Sequence, residues 1–269
     1  MKLHTSKQWY LHLAYYHVLK FFRFFTNRLF GRRDHKFLFI LSPPYCGSTL
    51  VNQILSTSDN LSCNNHLGVR EGQLLPEVKD IMFYNKGWHD EVHYPWEKIK
   101  QVWMKYWDQR KAILMDKSNT NIMRVSEIKK VFDNIFFLAI VRNPYAQVEG
   151  IMRRNNATIE YAAEFALKCL QYQKENRENE RNILFLTYED LCDNKDDSIQ
   201  KINKFIPELG SINADLKFSA HNFKTQGRMR IQNLNDEKIS KLSSEQIRVI
   251  NSYFTKEEKL LNYFGYNLI

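Results

Sequence analysis

From residue 36 onward, short apolar runs alternate with stretches whose apolar residues recur every three or four positions. Phe37-Leu-Phe-Ile-Leu41, Ala112-Ile-Leu-Met115, Ile135-Phe-Phe-Leu-Ala-Ile-Val141 and Asn182-Ile-Leu-Phe-Leu-Thr187 are short, apolar and nearly unbroken. Runs of that length and continuity read as strands buried on both faces, as in a parallel sheet. Helical spacing fills the intervals, at 49–56, 74–83, 95–107, 121–132, 144–154 and 159–178. After the last strand, helices are expected at 197–205, 236–242, 244–254 and 256–264. Strand–helix alternation predicts an α/β fold with a central parallel sheet flanked by helices. Residues 207–227 read as the longest loop.

The first 35 residues follow another pattern. Leu11, Tyr15, Val18, Phe22, Phe25 and Leu29 are spaced 4, 3, 4, 3 and 4 apart, a helical stripe. The segment is aromatic and basic and has no Asp or Glu before Asp34. Its longest uncharged run, residues 8–19, is about half of the ~20 apolar residues a membrane span needs. It is therefore read as an accessory amphipathic helix (1–35) ahead of one α/β domain (36–269). The helix packs on its own domain or on a second subunit; the other reading is peripheral contact with a membrane, with Lys20, Arg23 and Arg28 at the head groups.

Charge adds a constraint on partners. Of 269 residues, 39 are Lys or Arg and 30 are Asp or Glu, a formal charge of +9. An anionic partner follows, but no nucleic-acid-binding motif is present. The four cysteines, Cys46, Cys63, Cys169 and Cys192, form no C-x-x-C pair. The expectation is a reduced, cytoplasmic setting. No spacing of His, Cys or carboxylates suggests a metal site.

Two stretches carry chemistry. The first strand runs into Ser42-Pro-Pro-Tyr-Cys-Gly-Ser-Thr-Leu50. A strand, a tight turn and a helix start make a phosphate cradle, because free N–H groups and the helix dipole meet there. The lysine of the Walker sequence is missing. The strongest strand runs into Val141-Arg-Asn-Pro144, placing Arg142 at a strand's carboxyl end, where open α/β sheets bind ligands. Arg154 lies on the following helix, and guanidinium groups match phosphate geometry.

Together these stretches resemble the sulfotransferases that use 3′-phosphoadenosine 5′-phosphosulfate (PAPS), over roughly residues 36–265. Pro44-Tyr-Cys-Gly-Ser-Thr-Leu50 is similar to the family's first loop and Arg142-Asn-Pro144 to its 3′-phosphate motif. Glu71-Gly-Gln-Leu-Leu-Pro76, Asp116-Lys-Ser118 and Tyr188-Glu-Asp-Leu191 echo the tyrosyl-protein and carbohydrate branches. The resemblance implies a P-loop-like fold, PAPS as co-substrate, adenosine 3′,5′-bisphosphate (PAP) as product, no metal, and an acceptor hydroxyl on a glycan, small molecule or tyrosine. It implies donor contacts from Tyr45, Cys46, Gly47, Ser48, Thr49, Leu50, Arg142, Gly150, Arg154 and Tyr188, with Lys224 and Gly227 on a late loop. Sulfuryl transfer needs a base for the acceptor proton and a cation for the leaving oxygen. Glu71 is assigned as base, His66 as its alternative, and Lys117 as the cation. Residues 63–70 and 86–96 are expected to form the acceptor pocket, with Trp88, His89, His93 and Trp96 as candidate sugar platforms.

Two positions depart from the family's pattern. Tyr45 stands where the first loop carries Lys or Arg, and Gly150 where a Ser follows the arginine by eight residues. Two other functions stay open on the sequence alone: a nucleotide- or glycan-binding relative without catalysis, and a nucleotide-dependent kinase with a degenerate loop.

Overall fold

The computed structural model describes residues 7–84, 88–215, 217 and 230–269. The chain opens with helix α1 (Lys7–Phe30). Strand β1 (Lys36–Leu41) and helix α2 (Ser48–Leu55) follow, then β2 (Leu61–Cys63), α3 (Trp96–Trp103) and β3 (Ile113–Asp116). Next come α4 (Val125–Lys129), β4 (Ile135–Val141), α5 (Pro144–Asn155), α6 (Ile159–Asn179) and β5 (Ile183–Thr187). The end is helical: α7 (Tyr188–Asp193), α8 (Lys195–Phe205), α9 (Asn235–Ile239), α10 (Ser244–Phe254) and α11 (Glu258–Tyr263).

The five strands form one parallel sheet in the order β2-β3-β1-β4-β5. Pleating splits β1 between two cores. Phe37, Phe39 and Leu41 join Trp103, Trp107 and Phe132 on one face; Leu38 and Ile40 join Leu50, Ile54 and Ile202 on the other. A third cluster holds α5 and α6 against α10 and α11 through Tyr145, Leu170 and Phe254. The chain leaves β1 toward β2 on one side and leaves β4 toward β5 on the other. Their diverging connections open a crevice at the carboxyl ends.

Three expectations change. Strand β2 was not anticipated: three residues, Leu-Ser-Cys, are too few and too mixed to show a period. The helix expected at 74–83 is instead a 3₁₀ turn (Gly72–Leu74) and a π turn (Asp80–Tyr84), since Pro76 lacks the N–H that an α-helix would use. The stripe on α1 is turned the other way. Leu11, Val18, Phe22, Phe25 and Leu29 face solvent, while Tyr16 is buried and Leu19, Lys20, Arg23 and Asn27 are partly buried against the domain. Polar contacts fix this side: Tyr16 donates to Asn65 Oδ1 (3.0 Å), Arg23 pairs with Asp108 (2.7 Å), and Asn27 bonds Trp107 O and Gln109 N–H.

Candidate active site

Every strand delivers a chemical group to the carboxyl edge: β1 the loop 42–47, β2 the segment from Asn64 to Glu71, β3 Lys117, β4 Arg142 and β5 Tyr188. In the β1–α2 loop Gly47 has φ +93°, and a Cβ there would lie 2.7 Å from the Tyr188 ring. Only glycine meets both conditions. Its turn starts α2, and the N–H groups of Gly47, Ser48 and Thr49 have no protein acceptor among the described residues. Orphan donors of this kind are what a helix start offers an anion. Cys46 and Leu50 point into the core, and burial pushes the Cys46 thiol pKa up. Their N–H groups are already bonded to Pro43 O (3.3 Å) and Gly47 O (2.9 Å), so the donor contacts expected of these two residues have no free donor here.

Arg142 is 5% exposed and held on three sides. Its Nε donates to Asn235 Oδ1 (2.7 Å), its Nη1 to Tyr45 O (2.9 Å), and its guanidinium lies 3.9 Å over the Tyr188 ring. Nη2 is buried without a partner. A buried guanidinium nitrogen left open costs free energy until an acceptor arrives, so it is suited to receive an anion. Arg154 likewise has an unpartnered buried Nε. Tyr188 is committed to support: its ring lies between Gly47 and Arg142, and its hydroxyl donates to Gln232 O (3.1 Å). Glu189 ties the corner together, accepting from Asn143 N–H (2.8 Å), Tyr266 OH (3.1 Å) and Asn235 Nδ2.

The two departures from the family pattern touch each other. Tyr45 adopts φ +67°, and its hydroxyl donates to Asn155 Oδ1. A Cβ at Gly150 would meet Tyr45 Cβ and Cγ at 3.0 Å. The tyrosine ring thus takes the space into which a side chain at 150 would project.

The second half of the site is a buried ion pair. Lys117 Nζ lies 3.3 Å from Glu71 Oε1, donates to Val69 O (2.7 Å), and approaches Thr49 Oγ1 (3.5 Å). Lys117 is 1% exposed and Glu71 6%. Burial raises the Glu71 pKa, against the pull of Lys117, and lowers that of Lys117, against the pull of Glu71. Gln73 donates to Glu71 Oε2 (2.6 Å) and orients the carboxylate. Asp116, not foreseen as a site residue, organises this half. Its carboxylate accepts from Asn64 Nδ2, Gly72 N–H, Ser118 N–H, Ser118 Oγ and Asn121 Nδ2. Strand β3 and the Glu71 segment are thereby locked together. Asn65 braces the segment internally, donating to Glu71 O (2.7 Å). His66 lies apart. Burial, Arg23 and Arg70 lower its pKa, and its Nε2 is unpartnered. No hydrogen bond or ion pair joins it to Glu71 or Lys117 among the described residues. Trp96 and Trp88 are not open platforms: Trp96 is buried and donates to Glu127 (2.7 Å), and Trp88 packs edge-on against Phe165. Lys224 and Gly227 lie outside the described residues.

Comparison with known proteins decides the family. A model described as the sulfotransferase family matches residues 38–208, from β1 to beyond α8. The chain belongs to the sulfotransferase family. The fold agrees. The sulfotransferase domain from the curacin biosynthetic pathway superposes with a TM-score of 0.54 at 17% identity, over 88% of this chain and 100% of that one. The sulfotransferase domain of the Synechococcus PCC 7002 olefin synthase gives 0.54 at 17%, over 89% and 99%. A sulfotransferase from Alicyclobacillus acidocaldarius gives 0.50 at 10%, over 88% and 98%. No curated protein matches the sequence. The matched span holds Glu71, Lys117, Arg142 and Tyr188. It excludes α1 and the Asn235 that holds Arg142.

Proposed function

We propose that this sulfotransferase moves a sulfuryl group from PAPS to an acceptor hydroxyl, with Glu71 as base and Lys117 as the cation at the transferring group. One observation carries the reading: a buried Glu71–Lys117 pair beside Thr49 of the anion loop. A buried pair is costly to maintain, and its position at the loop gives that cost a chemical use.

The donor residues fit a nucleotide with two anionic ends. The open N–H groups of Gly47, Ser48 and Thr49 would hold the 5′ group, and the open Nη2 of Arg142 with Arg154 the 3′-phosphate. When bound, PAPS supplies a sulfuryl group on a phosphate leaving group. Glu71 takes the acceptor's proton at Oε1, and its raised pKa strengthens it as a base. Lys117 turns its ammonium from Glu71 toward the charge that develops on the leaving oxygen. The α2 dipole acts in the same sense. Positioning and charge stabilisation carry the rest, by analogy with phosphoryl transfer. With Tyr45 in the loop, Lys117 is the cation on which this end relies.

Isothermal titration with PAP, followed by transfer of labelled PAPS to an acceptor panel, tests the reading. PAP binding with transfer supports it. PAP binding without transfer to any acceptor supports the binding-only relative. Stabilisation by ATP and magnesium but not by PAP supports the kinase.

A further inference from the structure

We propose that α1 seats the protein on an anionic membrane surface, lying in the plane of the interface. Thirteen large apolar side chains are exposed among the described residues, and ten of them are on α1. Tyr10, Leu11, Val18, Phe21, Phe25 and Leu29 are among these ten. At 100° per residue the ten span about two-thirds of the helix circumference. The opposite side is the polar one that holds the domain. An apolar patch this concentrated marks a contact surface.

Shape and charge select the occupant. The face, from Tyr10 to Phe30, is a convex ridge about 30 Å long at 1.5 Å per residue, suited to a soft apolar layer. Beside it a groove between α1 and the end of α3 is lined by Phe21, Phe24, Phe25 and Met104 together with Arg28 and Lys105. Apolar and cationic walls side by side match acyl chains under anionic head groups. Arg28, Arg33 and Lys105 are exposed and have no carboxylate partner among the described residues. Residues 1–33 contain no acid at all. Two copies apposed through this face would bring cation against cation, whereas an anionic surface complements it.

The helix lies flat because it is tied down along its length. Tyr16, Lys20, Arg23 and Asn27 hold Asn65, Glu77, Asp108 and the 107–109 turn. No helix among the described residues is long and apolar enough to cross a membrane.

Flotation of the full chain with vesicles tests this, independently of any sulfuryl transfer. One set is phosphatidylcholine alone, the other contains about 30 mol% phosphatidylglycerol. The expected result is at least about tenfold stronger binding to the anionic set, falling with added salt. The solvent-side triple variant Phe21→Ser, Phe22→Ser, Phe25→Ser should lose about tenfold or more, while circular dichroism and cooperative unfolding show the fold intact. Arg28→Glu with Arg33→Glu keeps the rings and should remove the preference for anionic vesicles. Absence of binding, equal binding to both sets, or binding indifferent to the ring substitutions overturns the proposal. So does a dimer, seen by light scattering, that the triple variant dissociates.

Discussion

The donor corner around Arg142 and the pair of Glu71 and Lys117 are both buried and charged, yet they are built in opposite ways. Arg142 is fixed from outside: Asn235, Tyr45 O and the Tyr188 ring hold it in place, and one nitrogen stays open. Glu71 and Lys117 satisfy each other, and burial pushes both toward their neutral forms. A corner with an open donor gains free energy when an anion fills it. A pair that is closed on itself gains little from ground-state binding but can redistribute charge during reaction. On the proposed function, affinity therefore belongs to the first region and turnover to the second.

Breaking the second region should have the largest effect. Glu71→Gln keeps the shape and removes the basicity, and kcat should fall by about 10²–10⁴ with PAP affinity nearly unchanged in titration. Near-full turnover would move the base elsewhere, and His66→Ala is the variant to make next. Arg142→Ala is the reciprocal experiment. It should weaken PAP by about 1.5–3 kcal/mol, and a ligand lacking the 3′-phosphate much less. Equal losses for the two ligands would show that Arg142 does not read that group.

The pH–rate profile sharpens the contrast. In the proposed mechanism Glu71 acts ionised, and its pKa is raised above 4.5, so activity should be lost on the acid side at a pH above that value. Lys117 acts there protonated, and its pKa is lowered below 10.5, so activity should be lost on the alkaline side before that value. Both limbs move inward, and Glu71→Gln should erase the acid one. PAP binding, followed over the same range, should not share the acid limb. The smallest effect is expected at Gly150. Gly150→Ser should lower stability by about 1 kcal/mol through crowding against Tyr45. In the Tyr45→Ala background the cost should shrink, a coupling measurable by a double-mutant cycle of melting curves.

Legibility in the sequence differed with the kind of signal. Strands β1, β3, β4 and β5 are apolar runs bounded by turns, and the structure places them within a residue or so of expectation. The inversion of α1 has a different cause. Its apolar residues nearly encircle the helix, so their period cannot say which side docks. The decisive signal is the polar series Tyr16, Lys20, Arg23 and Asn27, spaced four, three and four apart. In the site, Arg142 and Lys117 stand at strand ends, where sequence reasoning looks for ligands. Asp116 and Asn235 act through other residues, and a carboxylate or amide that only holds its neighbours leaves no pattern in one dimension. Glu189 lies inside a recognisable Tyr-Glu-Asp-Leu stretch, but its task as a clamp is visible only once Asn143, Asn235 and Tyr266 are brought around it.

The contact between Tyr45 and Gly150 imposes an order on change. A side chain at 150 meets the tyrosine ring at 3.0 Å, so from the present chain a serine there is reached comfortably only after position 45 has become smaller. The reverse path is equally directional: a tyrosine could enter the loop only once 150 had lost its side chain. The pair therefore behaves as a ratchet. A library varying position 150 alone would report that it resists substitution, while one varying 45 and 150 together would find the hidden combinations that leave the rest of the loop undisturbed.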